Sequence, residues 1–146
     1  MKNTFESFEC AKAEAEILPT DRLMQQDDEF LCSIQENAKG AMAYCAENGK
    51  QFKTLAKILG GIAAVFALAA TVHATRLSDI TADNKPKIKE QFTASVCGIG
   101  LATLMMAYPI FKACGAGNKR KFFESRVQAV DDILVQRSGA HTIQPS

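Results

Sequence analysis

The chain has no tryptophan, two tyrosines, two histidines and four prolines in 146 residues. Its five cysteines, at 10, 32, 45, 97 and 114, form no CxxC pair. With so few histidines beside them they offer no zinc spacing, and an odd number scattered through helical segments points to reduced, buried thiols rather than a disulfide framework. No alternating strand pattern, internal repeat or low-complexity tract is present. The stretch Met1–Glu9 lacks an apolar core, so no conventional secretory signal is expected. The most consequential absence is of charge. No Asp, Glu, Lys or Arg falls within Ile58–Thr75 or Gln91–Phe111.

Those two runs are the chain's most informative feature. As helices they measure roughly 27 and 31 Å at about 1.5 Å per residue, close to the thickness of a bilayer's hydrocarbon core. The fold class expected is all-α, a two-span transmembrane helical hairpin with amphipathic helical arms at both ends. The segments divide into an N-terminal cytosolic helical arm (1–53), a first span (54–75), a polar spacer (76–90), a second span (91–112) and a basic C-terminal tail (113–146). Phe52, Lys53 and Lys57 flank the first run, and Tyr108, Phe111 and Lys112 the second, which suits a bilayer interface. Against this stands a high alanine and glycine content in the first run, which a soluble helical bundle burying the hairpin would also accommodate.

Charge is segregated along the chain. Residues 1–57 carry 7 basic and 10 acidic groups, the spacer Arg76–Glu90 carries 4 and 3, and Lys112–Ser146 carries 6 and 3. Lys50, Lys53 and Lys57 before the first run, with Lys112, Lys119, Arg120, Lys121 and Arg126 after the second, outnumber the spacer's basic residues. A multi-pass membrane protein with both termini cytosolic is therefore expected.

Helical periodicity marks the arms. Phe5, Phe8, Ala11 or Lys12, Ala15 and Leu18 fall roughly on one face of a helix that Pro19 ends. A second helix is predicted from a Thr20 or Asp21 cap, with Leu23, Phe30, Ile34, Ala38, Ala41 and Cys45 as its apolar stripe. Asn48-Gly49 reads as a turn, Asn84 as a cap with Pro86 in the next helix's first turn, and Cys114-Gly115-Ala116-Gly117 as a break. A last helix over 119–137 would present Phe123, Val127, Val130 and Leu134, and residues 138–146 read as frayed.

Inside the hairpin, small residues four apart allow close approach. Gly60 and Ala64 on the first span, and Ala94, Gly98 and Ala102 on the second, are the helix-packing candidates. Lys112, Lys119, Arg120 and Lys121 are the candidate lipid-headgroup contacts, since cations at a helix start oppose the macrodipole and anionic lipid would favour them there. Gly115-Ala116-Gly117-Asn118-Lys119 lacks P-loop spacing and follows a helix. His73 reads as an interfacial histidine that can pair with a spacer carboxylate. No charged group lies in either span, which argues against a proton relay. No catalytic residue, metal ligand or cofactor is expected, and the short basic cluster without interleaved aromatics argues against nucleic-acid binding.

Three functions fit. The first is a membrane-anchored protein–protein interaction or assembly module whose partners are the lipid bilayer and, through residues 20–47 and 119–137, itself or another helical protein. Its layout resembles bacterial effectors that insert into host membranes, such as the inclusion-membrane proteins of intracellular pathogens. The resemblance lies in the hairpin arrangement alone. The second is a holin-like membrane-permeabilising protein. The third is the soluble bundle.

Overall fold

A computed structural model describes residues 3–79 and 84–141, and the described residues are helical almost throughout. Helix α1 spans Thr4–Ile17, a 3₁₀ turn follows at Thr20–Gln25, α2 runs Asp28–Asp79 and α3 runs Lys85–His141. The fold is all-α, and the two long apolar helices pack as a hairpin. The chain divides into two compact units. One joins the residues up to Gly49 with those from Cys114 onward, and the other is Lys50–Ala113, which contains both apolar runs.

Asn3 starts α1 with a capping box. Its side chain accepts from the Phe5 N–H at 2.9 Å, and its own N–H donates to Glu6 Oε2 at 3.2 Å. Pro19 stops this helix as expected, but α2 does not begin at Thr20 or Asp21. The chain first turns through the 3₁₀ segment, becomes extended at Gln26 (φ −89, ψ 155), and Asp27 then caps α2 by accepting from the Phe30 N–H at 2.7 Å. This late start corrects the apolar stripe. Leu23 is buried from the turn, Leu31 takes the core position, and Phe30 is left 41% exposed.

The first unit is then built on α2 residues Leu31, Ile34, Ala38, Ala41 and Cys45, all buried and spaced alternately three and four apart. That is the seam spacing of a coiled coil. Its partner on α3 uses Phe123, Arg126, Val130 and Ile133 at the same spacing, all buried. Phe8, Ala11, Ala38, Ala41, Cys45 and Phe123 form one apolar cluster, and Leu23, Leu31, Ile34, Val130 and Ile133 a second. The faces of α2 and α3 therefore cover each other, with α1 and the 3₁₀ turn completing the cover; on α3 Arg126 and Ile133 take buried positions, and the expected Val127 and Leu134 are only half-buried.

Helix α1 approaches α2 closely at Gly40. A Cβ there would lie 2.4 Å from Ser7 Cβ and 2.6 Å from its Oγ. Gly40→Ala is expected to lower the unit's stability by about 1–3 kcal/mol through overpacking. Thermal unfolding followed by circular dichroism checks this, and Ser7→Gly in the same chain should restore much of the loss.

Two expected breaks are absent. Asn48-Gly49 and Cys114 to Gly117 are both helical, and no glycine among the described residues has a positive φ. Gly49 instead faces Ala116, whose Cβ would stand 3.8 Å from an added Cβ. The spacer is also shorter than expected, because helix extends to Asp79 and resumes at Lys85 with Pro86 in its first turn. Asp83 and residues 142–146, parts of the expected spacer and frayed tail, lie outside the described residues.

The cysteines also differ from expectation. All five are free, but only Cys45 is buried, Cys10 is half-buried, and Cys32, Cys97 and Cys114 are exposed. Burial pushes the Cys45 thiol up, opposed by the nearby charge of Lys119. The sign follows from linkage. A raised folded value stabilises the fold fully below the ordinary thiol value of 9.0, and that contribution is lost as pH climbs through the raised value. Iodoacetamide is therefore expected to alkylate Cys32 first and Cys45 last, with the gap persisting above the ordinary thiol value. Equal rates at the two sites, read by peptide mass spectrometry, would contradict the burial.

Candidate functional site: the apolar hairpin and the stapled arm

Within Lys50–Ala113 the two helices run antiparallel, as three pairings show. Phe52 meets Tyr108 edge-on with ring centroids 6.4 Å apart. A Cβ on Gly60 would stand 3.5 Å from Met106 Sδ, and one on Gly98 only 2.7 Å from Phe66 Cδ1. Buried positions on the inner face are small or compact: Ala70 on α2, and Ser95, Ala102 and Pro109 on α3. Small residues let the backbones approach, and larger neighbours fill the resulting gaps.

The outer face is the reverse. Ile58 is 56% exposed, Val65 66%, Leu68 70%, Leu101 62% and Leu104 74%. Leu55, Ile62, Val72, Val96, Ile110 and Phe111 are exposed as well. Only 6% of the most apolar stretch of α2 and 17% of that of α3 is buried within the chain. A helix at the core of a soluble bundle would have most of that stretch covered. A contiguous apolar surface of this kind marks contact with lipid or with another protein.

Several hydroxyls in this unit are satisfied within their own helix. The hydroxyls of Thr54, Thr71, Ser95 and Thr103 each donate to the carbonyl four residues earlier, at 2.8–3.0 Å. Such back-bonding lets a hydroxyl sit in an apolar medium without a water partner. Pro109 lies inside α3 and is fully buried. Its missing N–H leaves the Met105 carbonyl without the usual helical donor, which transmembrane helices tolerate. His73 is half-buried, and its Nδ1 is buried without a hydrogen-bond partner among the described residues.

The predicted packing residues are not all brought together. Gly60 faces Met106 and Gly98 faces the Phe66 ring, so each glycine accepts a large side chain. Ala102 is buried, while Ala64 and Ala94 are exposed. The predicted headgroup residues Lys112, Lys119, Arg120 and Lys121 are all exposed. Lys112 Nζ lies 5.5 Å from the Tyr108 ring centroid, a cation–π contact at the end of the second run. Lys119, Arg120 and Lys121 sit in mid-helix, because α3 has no start at Asn118. Contrary to expectation, their charges therefore face no helix N-terminus.

Two arginines that periodicity did not single out staple the N-terminal arm. Arg126 is 2% exposed. Its Nη2 donates to the Leu18 carbonyl at 2.9 Å and the Glu14 carbonyl at 3.4 Å, at the C-terminal end of α1. That helix has no basic residue in its own last turn, so α3 supplies the charge that its end lacks. Burial lowers the Arg126 guanidinium from its ordinary value, and the Glu14 carboxylate raises it. Glu14 Oε1 in turn accepts from Asn37 Nδ2 at 2.7 Å. Arg137 donates to the Met24 and Gln26 carbonyls, each at 2.8 Å, and pairs with Asp28. One sequence signal existed: Arg126 and Arg137 continue the three-and-four spacing of Phe123, Val130 and Ile133.

Among the described residues no group of three His, Cys, Asp or Glu gathers as a metal site. By length and composition, α2 and α3 can each cross a membrane. Compared with known protein families, curated proteins and solved structures, the chain matches none.

Proposed function

We propose that this chain is a small integral membrane protein whose hairpin spans the bilayer and whose helical arms form a membrane-anchored interaction or assembly module. The observation that carries the reading is the outward apolar face of both helices, from Leu55 to Val72 and from Val96 to Phe111. Its large side chains are exposed among the described residues, and in water such a surface would drive association. The back-bonded hydroxyls and the absence of charged residues from both runs agree with a lipid environment. The excess of basic residues outside the two runs supports a topology with both termini in the cytosol.

The stapled arm gives the module its rigidity. Its seams are filled by α1, α2 and α3 themselves, so a partner would meet the outer surface, where Ile17, Met24 and Val135 are exposed. Cysteine accessibility tests the reading in intact cells. Cys97 is exposed in the chain, yet in a bilayer it is expected to stay silent to a membrane-impermeant maleimide until the protein is unfolded. Cys32 and Cys114, also exposed, should react only once the cytosolic side is opened. Prompt labelling of Cys97, or release of the chain by alkaline carbonate, overturns the membrane assignment.

A further inference from the structure

The first unit holds a groove between α1 and α3 that the membrane reading does not use. Its volume is about 450 Å³, and Phe8, Ala15, Phe122 and Phe123 form its apolar lining. That lies in the range of small-molecule sites. The Phe122 ring is 50% exposed at its edge, whereas Phe8 and Phe123 are buried at 9% and 3%. Lys12 and Lys119 also line it. Lys119 Nζ lies 5.5 Å from the Phe8 ring centroid, which sets a cation directly against the apolar wall. Among the described residues the ion pair is Arg137 with Asp28, and no carboxylate pairs with Lys12 or Lys119. Glu16 is the single acid on the groove, against two cations.

We propose that this groove binds one acyl chain carrying an anionic head, with the chain along Phe8, Ala15, Phe122 and Phe123 and the head between Lys12 and Lys119. The apolar wall answers the chain, and the excess positive charge answers the head. The site belongs to the arm, so it does not depend on insertion of the hairpin. The shared chemistry is that of a free fatty acid or of the acyl chain of an anionic phospholipid.

The test uses the full chain in phosphatidylcholine vesicles with a diazirine-bearing palmitic acid, photolysed and mapped by peptide mass spectrometry. Labelling is expected in the peptides that contain Phe8 to Glu16 and Asn118 to Phe123. It should fall about tenfold in the double variant Lys12→Gln/Lys119→Gln and with the matching fatty alcohol, as loss of a charge-assisted contact predicts. Ala15→Phe fills the groove and should abolish labelling. Phe122→Ala, at a half-exposed ring outside the buried clusters, should weaken it while the chain still unfolds cooperatively. A parallel arm with diazirine-acylated phosphatidylglycerol tells a lipid source from a free acid. Equal labelling by the alcohol, or labelling indifferent to Ala15→Phe, overturns the proposal. So does an unlabelled groove in a chain that sediments as a dimer, which would mark a second copy as the occupant. Peptides from 58–72 report the bilayer separately. Their labelling without the groove sinks this inference alone, and groove labelling without theirs sinks the membrane reading alone.

Discussion

Gly98→Ile is expected to pry the hairpin apart. A Cβ at this position already lies 2.7, 2.8 and 2.9 Å from three atoms of the Phe66 ring, closer than side chains pack. A branched side chain adds further atoms in the same direction, so the ring must leave its place or the helices must separate. Overpacking of this kind costs about 3 kcal/mol. The loss is read by unfolding the full chain from a mild detergent with dodecyl sulfate. Gly100→Ile is the control, since nothing lies within 4 Å of a Cβ there. Adding Phe66→Ala to Gly98→Ile should recover a large part of the loss, and the double-variant cycle measures that coupling directly. Identical behaviour of Gly98→Ile and Gly100→Ile would remove the close approach at Gly98.

Arg126→Met is expected to free the N-terminal arm. The methionine keeps much of the buried volume, but the Leu18 carbonyl loses its donor, the Glu14 carbonyl is left with the Leu18 N–H alone, and the half-buried Glu14 carboxylate loses the cation that faces it. Removing one member of such a buried polar set costs about 3 kcal/mol. The end of α1 is the sensitive part, because Arg126 is the cation that receives its Leu18 and Glu14 carbonyls. Amide exchange should therefore rise sharply over residues 4–25, and trypsin should cut at Lys12 and Arg22 while the hairpin stays protected. Arg126→Lys restores the charge but not the planar fork, and should recover only part of the protection. Unchanged exchange over 4–25 in Arg126→Met would show that the arginine holds nothing. Arg137→Met should do less, since its partner Asp28 is 65% exposed and solvent weakens that pair.

Much of this architecture was legible in local pattern. Pro19 ended the first helix, Pro86 stood in the first turn of the third, and Ile34, Ala38, Ala41 and Cys45 lay on one buried face. The errors share a cause. Phe30 and Leu31 are adjacent and both apolar, and the choice between them turned on where the helix starts, which the 3₁₀ turn at Thr20–Gln25 and the Asp27 cap determine. Asn48-Gly49 and the Gly115–Gly117 stretch carry every local mark of a break. They remain helical because glycine costs a helix only about 1 kcal/mol, which packing against a neighbouring helix offsets. The mid-helix position of Lys119, Arg120 and Lys121 follows from the same continuity.

The amino-acid order by itself determined that two uncharged apolar helices of membrane-crossing length stand between polar helical arms, because length, charge and periodicity are local properties of a chain. Tertiary structure alone decided which residues hold the parts together. The bond from Arg126 to the Leu18 carbonyl joins residues 108 positions apart, and the approach of Gly98 to Phe66 depends on two helices meeting at one register. The buried Arg126 guanidinium depends on the carbonyls that receive it at the end of α1, and Gly98 on the Phe66 ring that leaves no room for a Cβ. Neither condition is visible until the partner is in place.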